Sequence, residues 1–222
     1  MTSDGVAAAA LRGDVASAIT REQIANLPVR RYEGNVCLVA SAEALESATA
    51  DMLQETVVGF DTETRPSFRK GQVHLPCLVQ VATARAVYLF QLSRPQVFES
   101  LRRLLSERRI VKTGVAVAYD LKELKLVFPF VQKNVVDLGG VARRCGTTQT
   151  GLRNLAGMFL GFRIPKGAKT TNWAVPNLSP AQIAYAATDA WACRELYLRF
   201  ERLGLVSAVA SGNAHDTAHR QI

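Results

Sequence analysis

The chain has 222 residues, of which 48% are hydrophobic and 21% are charged. A chain of this length favours one domain with a sizeable core, and its ordinary composition excludes wholesale disorder, collagen-like repeats and coiled coils. Lys and Arg number 27 against 19 Asp and Glu, giving a net charge of +8. That charge suits a polyanionic partner, although a basic enzyme of another kind is equally compatible with charge alone.

The four cysteines, Cys37, Cys77, Cys145 and Cys193, are widely and irregularly spaced. We expect them to behave as small buried hydrophobes rather than as a disulfide framework. No apolar run approaches the roughly 18 residues needed to cross a membrane. The N-terminus also lacks the basic start and long apolar core of a signal peptide. The sequence therefore predicts a cytoplasmic protein that does not associate with membranes.

The first half of the chain predicts a strand-rich unit. Residues 1–34 are weakly patterned and Ala-rich at their start, and are interpreted as an N-terminal extension with room for one helical stretch. Ser41 suits the N-cap of a helix to about Gln54. Strands are predicted over 36–39, 56–60, 75–82 and 86–90. The last two of these runs, joined by a short turn, predict a hairpin.

The second half predicts alternating helices and short strands. Pro95 and Ser179 mark helix starts, because Pro suits the first turn and Ser179 with Gln182 matches a capping box. Helices are predicted over 95–107, 116–127, 138–145, 152–160 and 179–203, and strands over 110–112 and 135–137. Residues 205–222 are small and polar and predict a flexible tail. Together these elements predict an α/β domain over residues 35–204, with a mixed sheet flanked by helices.

Two acids, Asp61 and Glu63, directly follow a predicted buried strand. Because side chains alternate along a strand, both carboxylates face the same way. Adjacent carboxylates repel unless a cation lies between them, and hard oxygen ligands suit Mg²⁺ or Mn²⁺. A solvated strand end is the alternative interpretation, which the D-x-E pattern alone does not exclude.

Further polar residues lie on predicted helices. Tyr185 and Asp189 are four residues apart and share a helix face among alanines, where a charge is costly without a partner. Asp120 opens a helix, where the helix dipole favours an acid. An ordinary amphipathic helix with one exposed acid is the structural alternative. The occurrence of all three patterns in order favours a functional site, whereas the isolated His74 is interpreted as structural.

A basic stretch separates Asp137 from Asp189, an interval without a single Asp or Glu. Its cations are Arg143, Arg144, Arg153, Arg163, Lys166 and Lys169. A basic, acid-free loop beside an acidic site suits a polyanion whose reacting phosphate is held by metal. Trp173 could stack on a base, but a role as a core residue beneath the loop is the favoured interpretation.

The acidic patterns resemble the three exonuclease motifs of the DEDD superfamily. The matching residues are Asp61 and Glu63, Asp120 within Tyr119-Asp120-Leu121, and Tyr185 with Asp189. Tyr185 is similar to the tyrosine of the subclass that includes ribonuclease D and the Werner-syndrome exonuclease domain. The resemblance covers residues 35–203 and extends to Val58-Gly59-Phe60 and to Asn172-Trp173.

The resemblance implies a ribonuclease H-like fold and removal of nucleoside monophosphates from single-stranded 3′ ends of DNA or RNA. It also implies two divalent ions, Mg²⁺ or Mn²⁺, with Asp61, Glu63 and Asp189 holding one and Asp61 with Asp120 the other. Tyr185 would orient the attacking water. The chain ends too early for the helical domains of ribonuclease D and carries no helicase, so a stand-alone exonuclease domain is expected. A non-catalytic nucleic-acid-binding module is the alternative.

Substrate contacts are predicted at the end of the D-x-E strand and in the basic loop. Thr62 and Thr64 lie beside the acids, and Thr64 could donate a hydrogen bond to the terminal sugar. Phe68 could wedge against the base. It could equally well be a hydrophobic side chain that holds its loop down, and the sequence does not choose between the two. Phosphate contacts are assigned to Arg163, Lys166 and Lys169. The sequence leaves the choice of DNA or RNA and the oligomeric state open.

Overall fold

A computed structural model describes residues 17–67, 71, 73–167 and 171–206. Within these ranges six strands form one sheet in the order β1-β4-β3-β2-β5-β6. The strands are β1 Asn35–Leu38, β2 Val57–Thr64, β3 Pro76–Ala82, β4 Ala86–Gln91, β5 Val111–Gly114 and β6 Val135–Asp137. Phe68, Lys169 and residues 207–222 of the predicted tail lie outside the described residues.

The sheet is mixed, as predicted. β2, β3 and β4 form an antiparallel meander, which confirms the hairpin expected from the sequence. β1 pairs parallel with β4, while β5 pairs parallel with β2 and with β6. The long strand β2 lies near the centre of this sheet, so its C-terminal end is held on one side by β3.

Helices cover both faces of the sheet. They are α1 Arg21–Asn26, α2 Ala42–Gln54, α3 Phe98–Ser106, α4 Val117–Leu124, α5 Leu138–Arg144, α6 Leu152–Leu155 and α7 Pro180–Arg202. A short 3₁₀ turn at Pro95–Val97 precedes α3, as expected for proline at a helix start. The helix predicted over 152–160 continues as a π-helical turn after Leu155.

The predicted helix over 116–127 is shorter at both ends. Ala116 has a φ of 59°, a left-handed conformation, so the helix begins at Val117. It ends at Leu124, before the exposed Leu126. The sharp turn at Ala116 brings the first turn of α4, and with it Asp120, back beside strand β2.

Side chains of β2 alternate between two buried layers. Val58 and Phe60 pack in the cluster that also contains α2, α3 and α4 residues. Gly59 faces α7, where a capping box between Ser179 and Gln182 begins the helix as predicted. This alternation sends Asp61 and Glu63 toward α7 and leaves Thr62 on the opposite face.

All four cysteines are free thiols, with Cys193 buried and the other three half-buried. Leu205, at the start of the predicted tail, is 4% exposed, and its N–H donates to the carbonyl of Phe200. In the described part of the chain, no helix is both long enough and apolar enough to span a bilayer.

Candidate active site

The C-terminal end of β2 supplies two of the predicted site residues, Asp61 and Glu63. Their side chains share one face because they are two residues apart on a strand. The pairing with β3 shifts register between Glu63 and Thr64, an irregularity typical of strands that aim side chains into functional sites. β2 thus ends its regular pairing at the acidic pair.

Helix α7 brings the third motif to the same place. Asp189 is only 8% exposed, and one carboxylate oxygen from each of Asp61, Glu63 and Asp189 lies within 4.8 Å of the other two. Tyr185, one turn earlier, makes a side-chain hydrogen bond to the Asp189 carboxylate. Residues separated by about 130 positions therefore form one cluster, which we call the acidic cluster (Asp61, Glu63 and Asp189).

The electrostatics of the acidic cluster disfavour negative charge. Burial raises the pKa of Asp61 well above its ordinary value, and the carboxylates of Asp189, Glu63 and Asp120 raise it further. Burial and the same acidic surroundings raise the pKa of Tyr185. The Tyr185 hydroxyl therefore keeps its proton at neutral pH, where it serves as a hydrogen-bond donor.

Asp120 is close to the acidic cluster without belonging to it. Burial raises the pKa of Asp120 to about 6, and the negative charge of Asp137 acts in the same direction. A hydrogen bond from the Thr62 side chain opposes both effects. Thr62, predicted as a substrate contact, is thus the partner of Asp120 in this structure, because it points to the α4 side of β2.

Trp173 occupies the core rather than the surface. Its side chain is 1% exposed, and its ring lies 5.9 Å from the ring of Tyr185. Base stacking by Trp173 requires an open ring face, so the structure contradicts that interpretation and supports the core alternative. Its loop is held by Gln91, whose Nε2 donates to the carbonyls of Val175 and Pro176 at 3.0 Å each.

A cleft of about 600 Å³, which we call the α7 cleft, opens beside the acidic cluster. Asp61, Tyr185 and Asp189 line it together with Arg153, Asn154 and Lys166. Lys166, for which the sequence predicted a phosphate contact, is thus one of the residues that line this cleft. Arg153 belongs to the basic stretch, but neither it nor Asn154 was predicted as a site residue, since only the tertiary fold brings α6 to the cleft.

A second cleft of about 420 Å³, the α4 cleft, lies on the other side of the β2 end. Its lining includes Thr62, Glu63, Thr64 and Asp120, together with His74 and Tyr119. Thr64 is thus beside the acids, as the strand end required. Tyr119 is 62% exposed and His74 is half-buried, so His74 borders the candidate site although the sequence indicated a structural role.

Arg163 does not line either cleft. Its Nε donates to the carbonyl of Leu27 at 3.2 Å, and its main chain bridges to Val29. Arg163 thus supports the N-terminal segment, and its phosphate contact stays a prediction. Phe68 and Lys169 lie outside the described residues, so the structure does not test their predicted contacts.

The family model described as "3'-5' exonuclease" matches residues 37–204 of the chain. Two relatives are the bifunctional 3′-5′ exonuclease/ATP-dependent helicase WRN of Mus musculus, 29% identical over 199 residues, and ribonuclease D of Gluconacetobacter diazotrophicus, 31% identical over 182 residues. These matches cover 85% and 78% of this chain, but only 14% and 45% of the respective relatives.

The fold has a solved counterpart in Escherichia coli RNase D, an exoribonuclease involved in structured RNA processing. The TM-score is 0.67 at 21% identity, and the match covers 85% of this chain and 51% of that structure. The similarity establishes the ribonuclease H-like fold that the sequence motifs implied.

Proposed function

The chain belongs to the 3′-5′ exonuclease family, and from that membership we propose that it removes nucleoside monophosphates from 3′ ends of DNA or RNA by metal-dependent hydrolysis. The observation that carries the proposal is the acidic cluster, in which one carboxylate oxygen from each residue lies within 4.8 Å of the other two. The hydrogen bond between Tyr185 and Asp189 supports assignment to the tyrosine-bearing DEDD subclass.

The acidic cluster has the chemistry of a site for divalent cations. Burial and three neighbouring carboxylates raise the pKa of Asp61, so cations there would relieve both desolvation and repulsion. Asp61, Glu63 and Asp189 would hold one Mg²⁺ or Mn²⁺, and Asp61 with Asp120 would hold a second. When bound, such ions stabilise the attacking and leaving oxygens and lower the pKa of the attacking water.

Tyr185 orients the attacking water in this proposal. Its raised pKa keeps the hydroxyl protonated at neutral pH, so it is unsuited to removing a proton. The Asp189 carboxylate is its hydrogen-bond partner, and the buried Trp173 ring lies 5.9 Å from the phenol ring. These two neighbours support a defined position of the hydroxyl at the α7 cleft.

The substrate strand is held by residues around the acidic cluster. Lys166 and Arg153 line the α7 cleft and would bind phosphates, while Thr64 in the α4 cleft would donate a hydrogen bond to the terminal sugar. We take the substrate end to be single-stranded, as the resemblance of the sequence motifs implied. For Lys169 we keep the phosphate contact predicted from the sequence, and for Phe68 we keep both predictions, a contact with the base and a role in holding its loop down.

A labelled-strand assay tests this function. DNA and RNA single strands of one sequence, labelled at either end, would be incubated with Mg²⁺, Mn²⁺ or EDTA. We expect metal-dependent release of mononucleotides from the 3′ end, lost in Asp61→Asn and Asp189→Asn. Glu43→Gln, which changes an exposed acid in α2, is the matched control and should match wild type.

Two outcomes would contradict the proposal. Binding of both strands without cleavage in any metal would favour the non-catalytic binding module. Full activity of Asp61→Asn and Asp189→Asn would place the reaction elsewhere. The relative rates on DNA and RNA give the sugar preference, because only RNA offers a 2′-hydroxyl to the residues of the α4 cleft.

A further inference from the structure

A segment before the region matched by the exonuclease family lies against the catalytic domain. Residues 28–32 run beside Arg163, whose N–H donates to the Pro28 carbonyl at 2.9 Å and whose carbonyl accepts from the Arg30 N–H at 3.1 Å. The Tyr32 N–H donates to the Thr188 hydroxyl in α7 at 3.1 Å. These bonds fix the segment, and with it Arg31, next to the helix that carries Tyr185.

Arg31 borders a small pocket of about 160 Å³. Ile164, Lys166, Gly167 and Tyr185 line both this pocket and the α7 cleft. The two cavities therefore lie on either side of these residues, with the Gly167 main chain packed against the Tyr185 ring between them. We call this cavity the Arg31 pocket.

The Arg31 pocket combines two cations with apolar side chains. Arg31 and Lys166 are both exposed, and Ala181 and Ala184 of α7 are also among the lining residues. No Asp or Glu is among its lining residues. An arginine paired with a lysine, and no competing acid, selects for an anion with several acceptor oxygens, as in phosphate.

The size of the pocket indicates part of a chain rather than a free small molecule. A volume of about 160 Å³ is well below the roughly 300–1,000 Å³ typical of small-molecule sites. A phosphate with its sugar, from a strand that passes over these shared residues out of the α7 cleft, fits the volume of the pocket. The alanines would contact the sugar, and Arg31 and Lys166 would contact the phosphate.

We propose that the Arg31 pocket binds a phosphate of the substrate strand upstream of the scissile bond, with Arg31 as its principal donor. The inference rests on the proposed function, since it takes nucleic acid as the substrate. Arg31 lies outside residues 37–204, the range that the family model matches, in the segment that precedes β1.

The test compares Arg31→Ala with Arg30→Ala and Arg31→Lys. Arg30 is the matched control, because it is the neighbouring exposed arginine and does not line the pocket. Binding of a fluorescein-labelled single strand would be measured by anisotropy in EDTA, and KM and kcat would be measured with metal. The binding arm needs no catalysis, so it remains informative if the proposed hydrolysis fails.

For Arg31→Ala we expect Kd and KM to rise about tenfold with little change in kcat. The slope of log Kd against log salt should fall by about 0.7, the value for one phosphate contact on a single strand. Arg31→Lys should show smaller increases in Kd and KM than Arg31→Ala, and Arg30→Ala should have the Kd and KM of wild type. Equal effects of the two alanine variants, or a loss confined to kcat, would overturn the proposal.

Strands that differ in length and in their 5′ end distinguish an internal phosphate from a 5′-terminal one. Dinucleotides and longer strands would be compared with and without a 5′-terminal phosphate. If the pocket takes an internal phosphate, the Arg31→Ala effect appears on every strand long enough to reach it. If the pocket takes the terminal phosphate, the effect appears only on short strands that are 5′-phosphorylated. An effect on no strand would contradict both forms of the proposal.

Discussion

The main chain of Gly59 lies directly against the main chain of Ala190, where β2 and α7 cross. A Cβ at residue 59 would overlap the Ala190 carbonyl oxygen and would lie 2.8 Å from the Arg194 nitrogen. Asp61 follows Gly59 by two residues, and Asp189 directly precedes Ala190. The close approach of the two backbones is therefore what brings these two carboxylates within reach of one another.

Gly59→Ala should damage stability and activity together. The added methyl cannot be accommodated without moving α7 away from β2, because it meets backbone rather than a flexible side chain. We expect a loss of about 1–3 kcal/mol in the free energy of unfolding, the usual cost of overpacking. Turnover should fall more steeply, since the acidic cluster widens. Urea denaturation and the labelled-strand assay measure the two effects.

Gly140→Ala is the control for this prediction. A Cβ at Gly140 in α5 would have its nearest neighbour at 3.5 Å, an ordinary contact. Alanine also favours the helix over glycine. The variant should therefore be as stable as wild type or more stable, and fully active. A Gly59→Ala protein that behaved in the same way would show that the close approach does not position the site.

Trp173→Ala should reduce stability far more than it reduces strand affinity. The side chain is 1% exposed and packs with Leu78, Leu89 and α7 alanines, so its removal leaves a large cavity. Loss of a buried Trp costs about 3–5 kcal/mol. Trp173→Phe should recover part of the stability and of kcat, because it restores packing beside Tyr185. A variant of normal stability with raised KM would instead indicate base stacking.

The sequence predicts the elements of this fold better than the surroundings of its site. Alternating apolar runs and the Ser179 capping box are local signals, so the hairpin and the start of α7 follow from them. The D-x-E pair and the spacing of Tyr185 and Asp189 likewise predict shared faces. The positions of Arg31 and Arg153 beside the two cavities depend on packing between distant segments, for which one sequence carries no local signal. For Trp173 the sequence favoured a core position over base stacking, and the 1% exposure of its side chain confirms that interpretation.

Lys112 should make stability rise with pH. It is fully buried, its Nζ donates to the carbonyls of Glu107 and Ile110 at 2.6 and 2.9 Å, and burial lowers its pKa from 10.5 to about 8. The unfolded chain keeps this proton up to about pH 10.5, whereas the folded protein releases it near pH 8. Between these values the unfolded state binds more protons, so the free energy of unfolding increases with pH.

The variant Lys112→Met isolates this effect. Between about pH 8 and pH 10.5, the free energy of unfolding of wild type should rise by about 3 kcal/mol relative to that of Lys112→Met. This follows from 1.36 kcal/mol per pKa unit. For Lys122→Met, at an exposed position of α4, the free energy of unfolding should change with pH as it does in wild type. Urea denaturation at several pH values measures all three proteins. Parallel curves for Lys112→Met and wild type would contradict a lowered pKa.

Tyr185→Phe should retain weak, measurable activity. The substitution removes a hydrogen bond to Asp189 but keeps the ring that packs beside Trp173. A lost hydrogen bond of about 1 kcal/mol corresponds to a rate reduction of roughly tenfold or less. The reduction should lie in kcat, and the pH dependence of kcat should be unchanged. Loss of a titration step in the variant would instead indicate that the phenol moves a proton.

Binding of Mn²⁺ by the acidic cluster tests the central claim most directly. Free Mn²⁺ would be followed by electron paramagnetic resonance during titration of wild type, Asp61→Asn and Glu43→Gln, with strand hydrolysis measured on the same samples. We predict that wild type and Glu43→Gln bind Mn²⁺ and that their rate of strand hydrolysis rises with the fraction of sites occupied by Mn²⁺. Asp61→Asn should lose both Mn²⁺ binding and strand hydrolysis. Undiminished hydrolysis in EDTA, or Mn²⁺ binding unchanged by Asp61→Asn, would contradict the account.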